Sequence, residues 1–299
     1  MRALVTGGNG FIGSHLVDEL IEMGHHVEVI DDNSAESNEI FYFNDKAVNH
    51  RVDICDYEKV KEIMKGVDVV FHLAAESRIQ TSILDPRHAA KVNVVGTCNV
   101  LQAARECGAD RVIYSSTSAV YGLKNEPPLK EDMPKDCLNP YSVTKYAGED
   151  LCVMYNDLFG LKTISFRYFN VYGERQPVKG QYAPVVGLFF EQKRKGGPMT
   201  IVGDGEQRRD FTHVSDVVDA NLRAAFTKNE DAFGGVFNVG SGESHSVVEL
   251  AKMIGGDYVH IDARMGEARK TLADIAKICR VLEWRPRMNF EDWVRENRN

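Results

Sequence analysis

The chain has 299 residues, 43% of them hydrophobic and 27% charged, with a formal net charge of -8; this is globular composition, enough for one large domain or two smaller ones. The acidic balance excludes a nucleic-acid surface, which needs a Lys/Arg excess to neutralise phosphates, so anionic ligands must be met by local groups. No apolar run approaches the roughly 18 residues of a membrane span and the N-terminus enters a strand pattern at once instead of a signal peptide, so a cytoplasmic protein without a membrane partner is expected.

The six cysteines, Cys55, Cys98, Cys107, Cys137, Cys152 and Cys279, form no CxxC pair and read as reduced thiols. The nine histidines show no HxxxH spacing or Cys/His cluster, and no metal site is expected.

Short β-branched runs alternate with longer amphipathic stretches. The pattern predicts a strand at Ala3 to Thr6, a helix from Phe11 to Met23 closed by Gly24, and strands at Val27 to Ile30 and Val52 to Ile54. A helix is expected at Tyr57 to Lys65, and strands at Val69 to Leu73 and Val112 to Tyr114. This alternation predicts an α/β fold: a doubly wound parallel sheet of Rossmann type, with ligands at the carboxyl ends of the strands. From about Asn170 glycines and prolines punctuate shorter elements, which reads as a smaller C-terminal substrate-binding lobe over 170–299 after a first domain over 1–169. A late strand pattern at 236–240 is expected to return to the first sheet.

GGNGFIG follows the first strand and opens the first helix, with Gly7, Gly10 and Gly13 in GxxGxxG spacing. Glycines there permit a tight turn and let backbone N–H groups approach a pyrophosphate at the helix N-terminus. The second strand ends in Asp31 and Asp32, eighteen residues after Gly13, where a carboxylate accepts the adenosine ribose hydroxyls. No Arg or Lys adjoins the pair in sequence and a carboxylate repels a 2'-phosphate, so NAD is favoured over NADP. Asp53 and Ile54 in RVDI are further cofactor candidates, although Asp53 reads equally well as a helix cap. Ala74 and Ala75 in FHLAA either pack or let a cofactor come close.

NPYSVTKYAGED begins with a helix-start signal, Asn139 before Pro140, and places Tyr141 and Lys145 four apart on one helical face. A Tyr with an ordinary pKa of about 10 is a poor base, and bringing it near 7 takes roughly 4 kcal/mol of extra stabilisation of phenolate. A neighbouring ammonium and a cationic nicotinamide ring can supply it.

With these residues on the page the chain resembles the extended short-chain dehydrogenase/reductases, specifically the NAD-dependent nucleotide-sugar epimerases and dehydratases. The carriers are GGNGFIG, DD at 31 and 32, HLAA, VNVVGT, SSTSAVYG, YSVTK, RYFNVYG, GDGEQRRDFTHV, NVGSG and RMGEARKTLADIAK. The resemblance implies Tyr141 as base, Lys145 as its electrostatic partner and ribose ligand, and Thr117 as the hydroxyl bridging Tyr141 and the sugar O4. It extends the cofactor contacts to Phe11, Ile12, Leu73, Asn93, Ser115 and Tyr168. It implies substrate contacts from Ser118 and Asn170, diphosphate clamps in Arg209 and Arg264, and a nucleotide-ribose acceptor in Glu267. Gln181 and Tyr182 stand where an Asn often precedes the second-lobe helix, a departure from the family pattern.

Such enzymes share a first step, in which the Tyr takes the C4 hydroxyl proton as hydride leaves C4 for NAD. Dehydratases then use an Asp and Glu immediately after the Thr, and decarboxylases a Glu. This chain has Ser118 and Ala119, which points to a 4-epimerase, whose keto intermediate only turns over and takes hydride back. Thr271 corresponds to the residue lining the sugar C2 side; a small side chain there implies room for a 2-acetamido group. Two other readings are a net oxidoreductase such as a 4-ketoreductase, and a non-catalytic NAD-sensing protein. The resemblance also implies a homodimer through the helical stretches 86–107 and 140–160.

Overall fold

The computed structural model describes residues 1–35, 40–178, 183–262 and 268–298. β1 (Arg2–Thr6) leads into α1 (Phe11–Glu22), and β2 (His26–Ile30) and β3 (Val48–His50) precede α2 (Tyr57–Ile63). β4 (Val69–His72) is followed by α3 (Ile79–Leu84) and α4 (Pro86–Ala90), then by a π-helical turn (Lys91–Gly96) that runs into α5 (Thr97–Cys107). β5 (Arg111–Thr117), a 3-10 turn (Ser118–Tyr121), α6 (Pro140–Phe159) and β6 (Lys162–Tyr168) complete the first half.

The second half holds β7 (Val171–Tyr172), α7 (Val185–Arg194), β8 (Met199–Val202), β9 (Arg208–Arg209), β10 (Thr212–His213) and α8 (Val214–Phe226). β11 (Gly235–Val239), β12 (His245–Ser246), α9 (Val247–Ile254), β13 (Tyr258–Ile261), α10 (Ala276–Val281) and α11 (Phe290–Asn297) follow.

Seven strands form one sheet in the order β11-β6-β5-β4-β1-β2-β3, and every pairing in it is parallel. Both faces are covered, as the apolar runs demand. Leu16, Val17 and Leu20 of α1 join Val217, Ala220 and Ala224 of α8 on one side. Val60 of α2, Val100, Leu101 and Ala104 of α5, and Cys152 and Tyr155 of α6 fill the other. Residues after Asn170 send β11 into the sheet and build a separate core from Phe189, Ile201, Phe211, Leu250, Phe290 and Trp293.

The third strand departs from expectation. It lies at Val48–His50, not Val52 to Ile54, pairing Glu28 with Val48 and Ile30 with His50. The segment RVDI leaves the sheet because its polar groups serve a turn. Asp53 Oδ1 accepts the Cys55 amide at 2.8 Å and its carbonyl accepts the Asp56 amide. Asp56, not Asp53, caps α2 by accepting the Lys59 amide.

Parallel registry aligns the strand ends. Thr6 stands beside Ile30 and His72, Thr117 beside Tyr168, and Tyr168 beside Val239. The loops after β1, β2, β4, β5, β6 and β11 therefore share one edge, and β1 sits between β2 and β4 where the chain reverses its direction of winding.

Candidate active site at the carboxyl edge of the sheet

Gly7 has φ +70, and a Cβ on it would lie 2.8 Å from the Ala74 amide nitrogen. The loop after β1 thus lies directly against the loop after β4, and only glycine permits the approach. A Cβ on Gly13 would collide with the Gly7 carbonyl. Gly10 is the N-cap of α1 and no side chain caps this helix, so the turn of Phe11, Ile12 and Gly13 presents backbone N–H groups to an anion. Leu73 and Ala74 are tied to β1, with their amides donating to the Thr6 carbonyl and to Thr6 Oγ1.

The paired aspartates divide their work. Asp31 accepts the Asn9 amide at 3.0 Å and the Asn33 amide at 2.9 Å, which locks it to the glycine loop, and burial pushes its carboxyl up. Asp32 turns away and accepts the Ser34 amide and hydroxyl at 3.0 and 2.6 Å. The pair is not without a basic neighbour: Arg51 Nε donates to the Asp32 carbonyl at 3.3 Å. Asp31 is therefore the carboxylate of the pair fastened to the glycine turn. Asp53 lies 3.8 Å from Lys91 Nζ, and Ile54 is buried against Gly96.

Two buried residues brace this half of the site. Asn93, in the π-helical turn, accepts the Glu76 amide at 2.8 Å and donates to the Glu76 carbonyl at 3.0 Å and to Thr144 Oγ1 at 2.9 Å. It thus holds the loop after β4 against α6, a use for the rare π geometry. His72 joins Thr6 Oγ1 at 2.7 Å and Thr97 Oγ1 at 2.9 Å; burial lowers its pKa to about 3, so it is neutral.

α6 carries the Tyr–Lys pair. Asn139 and Ser142 form a reciprocal capping box with Pro140 in the first turn, which fixes where the helix starts and so where Tyr141 points. The Thr117 hydroxyl accepts the Ala119 amide at 3.1 Å. Burial pushes the Tyr141 phenol up, the Thr117 side chain opposes this, and the charge of Glu76 adds to it. Burial lowers Lys145 to about 7, and its Nζ stands 4.3 Å from the centre of the Tyr114 ring. Ser115 and Tyr168 are spent on each other: their hydroxyls are 3.1 Å apart, and Asn221 donates to Tyr168 at 2.8 Å.

The wall opposite comes from the second half. Asn170 adopts φ +28, a backbone state that Asn tolerates and that collects at ligand sites. Its Nδ2 donates to the Asp210 carbonyl at 2.8 Å and to Thr271 Oγ1 at 3.4 Å. Thr271 Oγ1 also accepts the Asp210 amide at 3.3 Å. Arg209 Nη1 reaches the carbonyls of Arg208 and Ala268 at 3.0 and 2.7 Å, whereas Arg208 is tied to Ser244 and Glu249. Ser118 opens the 3-10 turn. Gln181, Tyr182, Arg264 and Glu267 lie outside the described residues.

Two carboxylates at the candidate site escape a reading of sequence. Glu76 stands near enough to Tyr141 to act on its phenol, with its own Oε1 accepting the Arg78 amide at 3.0 Å. Asp210 is fully buried and accepts four bonds: the Ser241 amide and hydroxyl, the Gly242 amide and the Ala273 amide. The partners of Asp210 lie 31 to 63 residues away in the chain. Among the described residues no group of three His, Cys, Asp or Glu could hold a metal, and no helix is long and apolar enough to cross a membrane.

The glycine cradle, the uncapped start of α1 and Asp31 fit a dinucleotide. The NAD dependent epimerase/dehydratase family matches residues 3–240. The UDP-glucose 4-epimerase of Mycolicibacterium smegmatis is 39% identical, over 98% of this chain and 96% of that protein. The UDP-N-acetyl-alpha-D-glucosaminuronate decarboxylase of Bacillus cytotoxicus is 33% identical, over 99% and 96%. The solved UDP-N-acetylglucosamine 4-epimerase of Methanobrevibacter ruminantium M1, in complex with UDP-N-acetylmuramic acid, superposes with a TM-score of 0.92 at 33% identity, covering 99% of this chain and 96% of that one. With the fold, the cradle and these matches in agreement, the chain belongs to the NAD-dependent epimerase/dehydratase family, an extended short-chain dehydrogenase/reductase fold whose cofactor is NAD.

Proposed function

We propose that the protein is a 4-epimerase of UDP-hexoses. The observation that carries this reading is Tyr141 with Lys145 one turn along α6, with the Thr117 side chain acting on the Tyr141 phenol, beside a 3-10 turn that begins Ser118-Ala119. Tyr141 takes the proton of the sugar C4 hydroxyl, Thr117 orients that hydroxyl, and Lys145 steadies the phenolate. NAD, when bound, supplies the acceptor and donor of hydride. Dehydration or decarboxylation asks for a carboxylic acid or carboxylate after Thr117, and this turn has none. Glu76, the carboxylate nearest Tyr141 in effect, is folded back on the Arg78 amide. That arrangement favours oxidation and return over the decarboxylase reading that one relative suggests.

Asn170, Arg209 and Thr271 form the wall assigned to the substrate, and Arg264, Glu267, Gln181 and Tyr182 keep the roles read from sequence as part of this proposal. Thr271 leaves the C2 side of the sugar open to an acetamido group, so UDP-GlcNAc and UDP-GalNAc are taken as substrates beside UDP-Glc and UDP-Gal. Replacing Thr271 with Tyr is expected to cut kcat/KM for the acetamido pair by about tenfold or more relative to the plain pair; an unchanged ratio defeats the pocket argument. A cytoplasmic homodimer accompanies this reading, supported by Val95, Val143, Met154, Leu158 and Phe159 exposed on the two helical stretches. A monomeric mass in light scattering removes the dimer.

Incubating the protein with the four UDP sugars and following the C4 configuration by NMR tests the central proposal. Interconversion of either pair, with NAD retained, supports it. No 4-epimer from any of them overturns it, and release of NADH in step with product favours a net oxidoreductase.

A further inference from the structure

A buried charged cluster lies one turn along α6 from Lys145. Glu149, one turn after Lys145, accepts the Ser116 hydroxyl at 2.5 Å on Oε1. The same carboxylate takes both forks of the Arg167 guanidinium, Nε at 2.9 Å and Nη2 at 2.6 Å, and the two side chains are 2% and 1% exposed. Arg167 is held in turn by the Tyr121 hydroxyl at 2.9 Å and the Glu131 carbonyl at 3.2 Å.

Ser116 immediately precedes Thr117. Two residues earlier on the same strand, the Tyr114 hydroxyl donates to the Lys145 carbonyl at 3.2 Å, an approach for which α6 supplies Gly148, where a Cβ would strike the Tyr114 ring and hydroxyl. β5 therefore grips α6 at Lys145 and at Glu149, while Thr117 engages Tyr141. Burying an ion pair in place of apolar residues seldom adds stability, so its use here is sought in placement.

We propose that Glu149 is a positioning residue for the reaction: through Ser116 it fixes the end of β5 so that the Thr117 hydroxyl meets Tyr141. Glu149 itself faces Arg167 from β6, and its charge also acts on Lys135 of the preceding loop.

This inference rests on the proposed reaction for its kinetic readout and is independent of it in a second one. Ser116→Ala leaves the ion pair intact and is expected to lower kcat about tenfold with KM unchanged, since small misplacements of reacting groups are costly. Its melting temperature should stay within about 2 °C of wild type, and Ser116→Thr, which keeps the hydroxyl, should restore most of the loss. In cofactor-free protein, Tyr141 ionisation read as the phenolate absorbance lost in Tyr141→Phe should move to higher pH in Ser116→Ala, because the influence of Thr117 that favours phenolate is weakened. An unchanged kcat, or an unchanged Tyr141 titration, overturns the inference. Glu149→Gln, where it folds, should move the Tyr141 titration in the same direction; no movement overturns the role of Glu149. A wild type that epimerises nothing defeats the proposed activity alone, and the titration then decides the role of Glu149.

Discussion

Asn93 pairs with both backbone groups of Glu76, accepting its amide at 2.8 Å and donating to its carbonyl at 3.0 Å. One side chain thereby closes the loop that borders the glycine cradle, and its third bond, to Thr144 Oγ1, fastens that loop to the helix bearing Tyr141. Asn93→Ala leaves two buried backbone groups and a threonine without this partner. It is expected to cost about 2–4 kcal/mol of stability in urea titration and to weaken NAD retention through gel filtration.

Gly7→Ala tests the cradle. The new methyl would meet the Ala74 backbone at a left-handed φ of +70, a strain of about 1–3 kcal/mol that the neighbouring strand ends cannot yield to cheaply. Loss of bound NAD at a nearly unchanged circular dichroism spectrum is the expected result. Full NAD occupancy in the variant would show that the pyrophosphate lies elsewhere.

The buried ammonium of Lys145 makes cofactor-free stability depend on pH. Its pKa is about 7 in the folded protein against 10.5 ordinarily, so between these values the unfolded chain holds the proton that the folded one has lost, and the wild type gains stability as pH rises from about 7 to 10. Lys145→Met removes this cost. The variant should be more stable than wild type by about 2–5 kcal/mol near pH 6, with the advantage narrowing towards pH 10, and it should be inactive. A constant difference across that range would contradict a buried, charged Lys145.

Asp210→Asn places an amide donor where the carboxylate now receives Ser241, Gly242 and Ala273. A cost of roughly 2–4 kcal/mol in stability is expected. Because the Asp210 backbone also holds Asn170 and Thr271, KM for the nucleotide sugar should rise more than kcat falls. A variant with kcat reduced and KM unchanged would place Asp210 in the chemistry instead of the wall.

Legibility in the sequence followed the range of the interactions. Tyr141 and Lys145 could be read as a pair because a helix brings positions four apart onto one face, and the capping residues beside them mark its start. The strand that slipped, expected at Val52 and found at Val48–His50, is a three-residue edge strand with little apolar signal. Its placement depends on pairing with β2, and local preference there is weak. Asp31 and Asp32 were legible as a motif but not in their division of labour, which rests on where the Asn9 and Ser34 amides fall.

By itself the sequence determined the parallel α/β layout, the dinucleotide turn and the Tyr–Lys helix, since each is written in spacing of 2, 3 or 4 residues that backbone geometry converts directly into a face or a turn. Only the tertiary structure decided which carboxylates matter. The Glu149 and Asp210 carboxylates find partners 33 and 63 residues away, and a buried acid declares its role through the donors that surround it once the chain has folded.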